Sequence, residues 1–170
     1  MSTADTNRPR SARARIDDAI ARGAARRGDH EGARLLLSRY CMLIDQGRLE
    51  DLARLFLPDG QLSVSYDTAP VRIGRAAILA WYAGFFAARP RVRHPRHKLY
   101  EPCLVVSGTR AVASTYFDSD FVEADGSVTV FAGRYDDVLL RRRGRWFFQR
   151  RDITVLHHYS PGRGADGIKP

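Results

Sequence analysis

Lysine is nearly missing from this chain: among 170 residues only Lys98 and Lys169 carry an ammonium, and the other 26 of the 28 basic residues are arginine. Asparagine occurs once, at Asn7. Such a bias, beside abundant alanine, reads as coding-sequence composition. The net charge of +9 is therefore weak evidence for a phosphate-binding surface, and no nucleic-acid partner is expected, although basicity still favours an anionic substrate. Cysteine occurs twice, at Cys41 and Cys103, and never as CxxC, which argues against a disulfide framework and reads as buried thiols of a reducing compartment. No apolar run approaches the roughly 20 residues of a membrane span. The first residues also lack the apolar core of a secretory signal, so no membrane partner and a cytoplasmic location are expected.

What is present is enough for one domain. Apolar residues make up 44% of the chain and aromatics 10%, which supports a globular core. Residues 1–28 hold seven arginines among Ala, Ser, Gly and Asp, with only Ile16 and Ile20 as large apolar groups. This stretch reads as a flexible basic tail, part-helical over 15–25, followed by a domain over 29–160 and a flexible C-terminal tail over 161–170.

Within the domain, Leu35, Leu36, Leu37, Tyr40, Cys41, Leu43 and Ile44 recur at helical spacing, and Gly47 is placed to stop that helix. A short helix is predicted over 49–56, a turn at Pro58-Asp59-Gly60, and a strand over 61–66. A short extended piece over 71–73 leads into a helix over 75–88 with Trp81, Tyr82, Phe85 and Phe86. Residues 89–96 read as a basic loop broken by Pro90 and Pro95. Four long strands follow over 97–106, 111–122, 128–140 and 145–157, separated by glycine-containing turns as consecutive antiparallel hairpins. Helices first and strands afterwards, without βαβ alternation, give an α+β fold: a curved antiparallel sheet wrapped by N-terminal helices into a conical barrel with an apolar cavity.

Two groups at opposite ends of this plan carry chemistry. Asp45 ends the first helix, and the run His94-Pro95-Arg96-His97 opens a strand. A carboxylate that accepts a hydrogen bond from one imidazole nitrogen fixes the tautomer and stabilises the imidazolium formed on proton abstraction, so His97 would act as base and Asp45 would orient it. His94 is a loop residue with a reserve role as second base or substrate contact. Cys41 shares the helix face of Asp45 at i and i+4, whereas Tyr40, five residues away and about 140° around the helix, reaches the same cavity less directly. Strand alternation places Phe147, Gln149, Arg151, Ile153, Val155 and His157 on one face unless a bulge intervenes, with Arg151 available to an oxyanion. Trp81 and Phe85 are candidate cavity walls. The histidines do not form a metal set, because Pro95 opposes a helical pair and adjacent His157 and His158 point to opposite faces of a strand. No metal and no cofactor are expected.

The order Tyr40-x4-Asp45-Gln46-Gly47-Arg48, Phe56-Leu57-Pro58-Asp59-Gly60, Arg96-His97, Gly133-Arg134-Tyr135-Asp136-Asp137 and Gly144-Arg145-Trp146-Phe147-Phe148 resembles the SnoaL-like branch of the nuclear transport factor 2-like superfamily over residues 30–158. Scytalone dehydratase, bile-acid 7α-dehydratase and hexachlorocyclohexane dehydrochlorinase are similar, and that resemblance implies a cofactor-free lyase, isomerase or cyclase with Asp45 and His97 as a catalytic pair. It further implies Tyr40 as acid or hydrogen-bond donor and Arg151 as a pocket residue. Ile44, where scytalone dehydratase has a tyrosine, argues against transferring that enzyme's substrate. An Asp-Arg-Asp set of the limonene epoxide hydrolase kind would draw on Asp118, Asp120, Asp136, Asp137 and Arg134. The stretch from Val130 to Leu139 is also similar to the β subunit of aromatic-ring-hydroxylating dioxygenases, which implies a non-catalytic alternative. The expected partners are a hydrophobic cyclic small molecule and further copies of the chain in a dimer or higher oligomer.

Overall fold

The computed structural model describes residues 29–67, 71–88 and 93–160, so the expectations for the two tails lie outside the described residues. Helix α1 (Asp29–Asp45) buries Ala33, Leu36, Leu37, Tyr40, Cys41, Leu43 and Ile44 along one broad face. It stops where the backbone turns left-handed at Gly47 (φ 65°), whose N–H bonds the Ile44 carbonyl while that of Arg48 bonds the Leu43 carbonyl, each at 3.0 Å. Asp45 is therefore the last helical residue. Its charge lies at the negative end of the helix dipole, where a carboxylate is locally unfavourable and needs a partner from elsewhere.

After α2 (Leu49–Ala53), the chain enters β1 (Phe56–Val64), then β2 (Arg72–Ile73), α3 (Arg75–Ala87), β3 (Arg93–Leu99), β4 (Cys103–Ser107), β5 (Arg110–Val122), β6 (Val128–Arg142) and β7 (Arg145–Tyr159). Sheet order is β2-β1-β7-β6-β5-β3, with β4 also paired to β5. The sheet is curved and unclosed, and every pairing is antiparallel except β1 against β7. Its inner face packs on α1 through Ala111, Ala113, Phe117, Tyr135, Leu139 and Phe148, each buried. Burying such apolar side chains contributes about 1.5–3 kcal/mol apiece for the larger ones, which outweighs helix propensity in holding α1 in place.

The elements are those expected, but several bounds differ. The second helix ends at Ala53 rather than 56, and the segment Pro58-Asp59-Gly60 is an irregularity inside β1 instead of a turn before it. Phe56 pairs with Phe148 and Gln61 with Arg150, so four residues bulge out of the ladder at a point where Pro58 needs no donor. The basic loop shrinks as well: β3 begins at Arg93, with a register shift around Pro95 on this edge strand. The single strand predicted over 97–106 is two strands on the same edge of β5, separated by Tyr100, Glu101 and Pro102. Bulges also occur in β7, where Gln149 and Leu156 lack counterparts in the β6 register. Each bulge sharpens the local twist and helps to curl the long strands around α1. Among the described residues no helix is long and apolar enough to cross a membrane.

Candidate active site

A small cavity opens between α1, α3 and the inner face of the sheet. Its walls are apolar where Ile44, Val64, Phe85, Phe117, Phe131, Ile153 and Val155 face it, and polar groups enter from His97, Ser119, Tyr40, Tyr82, Tyr66 and Trp81. The space is half open to the surface and has a volume of about 60 Å³. One water needs roughly 10–15 Å³ by the same measure, so the space holds on the order of five non-hydrogen atoms, about one ring.

His97 and Asp45 meet at the side of this cavity. The Asp45 carboxylate spans two donors: Oδ1 is 2.6 Å from His97 Nδ1, and Oδ2 accepts the backbone N–H of His97 at 3.0 Å. A carboxylate only accepts, so Nδ1 is the donor, and in the neutral ring the lone pair then falls on Nε2. Both side chains are mostly shielded, at 13% and 19% exposure, without being sealed off. The backbone contact fixes the carboxylate relative to β3 as well as to the ring. It also supplies the compensation that the helix end itself lacks.

Tyr40 lines the cavity together with Ile44, one helical turn on, while Asp45 reaches sideways to β3. Its hydroxyl lies 2.6 Å from that of Tyr82, a residue of α3 not singled out from sequence although it shares a helix with the expected Trp81 and Phe85. Burial pushes the Tyr40 phenol up to about 12, against the pull of Arg151, and burial likewise raises Tyr82. Both are neutral donors near pH 7. Trp81 stacks on Phe85 at 5.6 Å, and its indole N–H donates to Asp67 at 2.9 Å, which holds that wall upright.

Two expected substrate contacts are corrected. Arg151 does not face the cavity: it is fully buried, donates to both oxygens of Asp137 at 2.7 Å, and lies between the rings of Tyr40, Tyr135 and Phe148 at 4.0–4.2 Å. Arg151 does share the inward face with Ile153, but its bonds to Asp137 hold it beneath the rings, away from the cavity; the bulge at Gln149 brings Trp146 and Phe148, rather than Phe147 and Gln149, to that face. Burial opposes the guanidinium charge, but Asp137 more than offsets it and raises the Arg151 pKa above its ordinary value. Burial pushes the Asp137 carboxyl up while Arg151 pulls it down. These tendencies conflict, and the two short parallel bonds decide for an ion pair.

Cys41 is the second correction. It is buried beside this ion pair and away from the cavity lining, with its thiol pushed up to about 12 by burial. The i, i+4 relation with Asp45 holds, but the cavity meets the Tyr40–Ile44 face instead. His94 is part of β3 rather than a loop. Its side chain is outside what the structure describes. The Asp-Arg-Asp alternative does not assemble, because Arg134 bonds Asp136 at 2.9 Å and Asp120 bonds Arg96 on the outer face, while Asp137 is inside. Among the described residues no three His, Cys, Asp or Glu side chains converge as a metal site requires.

A signal for Asp137 was available in sequence. Gly133, Tyr135, Asp137 and Leu139 occupy the inward positions of β6, and a carboxylate in such a series demands a buried partner.

The profile of the SnoaL-like domain matches residues 25–152, three quarters of the chain. The chain belongs to the SnoaL-like family. No curated protein matches it. Among solved structures, a candidate scytalone dehydratase of Novosphingobium aromaticivorans superposes with a TM-score of 0.67 at 20% identity, covering 85% of this chain and 90% of that one. A Catenulispora acidiphila protein in complex with S-DNPA gives 0.64 at 25% identity, covering 72% and 90%. A hexachlorocyclohexane dehydrochlorinase gives 0.66 at 15% identity, covering 88% and 94%. This SnoaL-like chain thus shares its fold with these proteins, and function has to be argued from the site.

Proposed function

We propose that this SnoaL-like protein is a cofactor-independent lyase or isomerase, of the dehydratase, elimination or cyclase type, acting on a hydrophobic cyclic molecule. The observation that carries the reading is the carboxylate-oriented imidazole of His97 in the wall of a largely apolar cavity. His97 takes a proton from a ring carbon, and the electron pair left behind moves into a new double bond or onto a neighbouring oxygen. Asp45 keeps Nδ1–H pointed away and stabilises the imidazolium, which returns its proton to the leaving group or to a different carbon. Tyr40 and Tyr82 form a neutral phenol pair in which one hydroxyl donates to the other and a single O–H is left for a substrate oxygen. The cavity admits about one ring, so a larger substrate would leave its remaining atoms at the mouth. The similarity to dehydratase and dehydrochlorinase structures supports this class of chemistry.

A non-catalytic cone, such as a dioxygenase-β-like subunit, is the second reading. It is favoured by the outer face, where Tyr100, Val105, Val112, Tyr116, Leu156 and Tyr159 are exposed and would suit a partner subunit. The same face supports a homodimer or higher homo-oligomer under the first reading. Cys41 is buried as expected, whereas Cys103 is exposed rather than buried, and the two separate thiols fit a reducing cytoplasm.

The decisive experiment measures proton exchange and elimination on a panel of cyclic ketones, alcohols and halides. Loss of turnover in His97→Ala and Asp45→Asn with folding retained is expected. Unchanged turnover in both would sink the mechanism, and stable copurification with an iron–sulfur protein would favour the subunit reading.

A further inference from the structure

Toward the opposite end of α1 from Asp45 lies a second hollow, walled by α1, the end of α2 and the first residues of β7. Its volume is about 200 Å³ against about 60 Å³ for the cavity at His97, and the two have no lining residue in common. By the measure of one water it holds on the order of fifteen non-hydrogen atoms. Leu35 and Arg39 stand at i and i+4, so α1 presents an apolar and a cationic group on one stripe. Leu36, Leu55 and Phe147 complete the apolar floor, and Arg54 and Arg145 join Arg39 around it.

The polar groups of this cleft are donors in search of an acceptor. Its one carboxylate, Asp51, is already occupied on both oxygens: Arg48 donates to Oδ2 at 2.5 and 2.9 Å, and Arg54 to Oδ1 at 2.7 Å. Arg145 makes no hydrogen bond or ion pair with any described residue. The indole N–H of Trp146 makes no hydrogen bond either, yet unlike Thr115 Oγ1 it is not sealed in the interior. Trp146 is only 5% exposed and lines the cleft, so the cleft is where that donor faces. A shielded donor without a partner is unfavourable unless something fills its bonding capacity.

We propose that this cleft is a second ligand site that takes an amphiphilic carboxylate, with its oxygens on Arg145 and the Trp146 indole and its apolar body against Leu35, Leu55 and Phe147. A planar carboxylate has two acceptor oxygens, which suits one guanidinium fork beside one indole donor. A bare inorganic anion would satisfy the donors but leave the leucines and Phe147 in water. The site is separate from the proton-transfer chemistry and stands whether or not His97 acts as a base.

Tryptophan occurs only twice in the chain, Trp81 at the His97 cavity and Trp146 at this cleft, so each hollow has its own fluorescent reporter. Phenylbutyrate and the uncharged phenylbutanol are titrated against Trp81→Phe, in which only Trp146 reports, and against Trp146→Phe, in which only Trp81 does. Trp146 is expected to respond saturably, with phenylbutyrate preferred over phenylbutanol by about tenfold. Adding Arg145→Ala, an exposed change at a hairpin end, should abolish that preference while the circular dichroism stays the same. Inorganic phosphate at the same concentration should not displace the probe. A response from Trp81 alone or from neither ring, equal affinity for acid and alcohol, a preference that survives Arg145→Ala, or displacement by phosphate would each overturn the proposal.

Discussion

Two acid–base pairs lie within the same cone, and their surroundings differ in every respect that matters. Asp137 and Arg151 are completely buried, joined by two parallel bonds, and covered by three aromatic rings. Asp45 and His97 are joined through one ring nitrogen and one backbone amide, and they sit at the edge of a space that small molecules can enter. In the first pair neither charge can move, because proton loss from a guanidinium is out of reach and no substrate can touch it. The second pair holds one nitrogen fixed and leaves the other vacant. Full burial and two parallel bonds make a charged pair a structural clamp; partial shielding and a ring nitrogen left unused make a hydrogen-bonded pair a base.

The comparison breaks if the pairs exchange phenotypes. His97→Ala should lower turnover by about 10²–10⁴-fold, measured as initial rate on whichever panel compound reacts, with only a small change in melting temperature. Asp45→Asn should follow it in direction with a smaller loss, since the amide still occupies the space. For the clamp, Arg151→Ala should cost about 3–5 kcal/mol in urea unfolding, because Asp137 is left buried and uncompensated. Replacing both members by apolar residues of similar size, as in Arg151→Met with Asp137→Leu, should recover most of that loss. A stable Arg151→Ala protein with impaired turnover alone would show that the clamp belongs to the site after all.

Sequence disclosed these two pairs to different degrees. The helix ending at Asp45 was legible because a glycine follows at the spacing a helix stop needs, and His97 followed from matching positions in a resembling family. Arg151 was legible as an inward residue but not as a clamp. Its partner Asp137 is fourteen positions away, and the bulge at Gln149 that swings Phe148 onto the same side leaves no mark in an alternating pattern. Tyr82 was hidden for another reason. Four aromatics crowd one short helix, and only packing against Tyr40 decides which of them turns its polar end toward the cavity. The bulged Pro58 and Pro95 misled in the opposite direction, since proline usually ends a strand and here sits where the ladder skips a bond.

Alkaline titration sharpens the contrast from the side of the buried rings. Tyr40 is raised to about 12 in the fold, and Tyr82 and Tyr135 are raised as well, in each case chiefly by burial. An unfolded tyrosine loses its proton near pH 10. Between the two values the unfolded chain has released protons that the native state still binds, so stability is whole below about pH 10 and falls as pH rises toward 12. Absorbance of phenolate should therefore show these three rings ionising late and together with loss of the fold. Their early titration in a still-folded protein would mean that water reaches the rings around Arg151.

The smallest effect is predicted at the residue that touches both regions. The Tyr40 ring covers Arg151 at 4.0 Å while its hydroxyl meets Tyr82 at the cavity wall. Tyr40→Phe keeps the ring over the guanidinium and removes only the oxygen, so turnover should fall by about tenfold or less while the unfolding midpoint moves little beyond the loss of one hydrogen bond, about 1 kcal/mol. Tyr40→Leu removes the aromatic face too and should add the instability of a less well covered ion pair. If the two variants unfold alike and differ only in rate, the ring contributes nothing to the clamp; if they are equally slow and differ in stability, the hydroxyl is what the chemistry uses and the ring is what the fold uses.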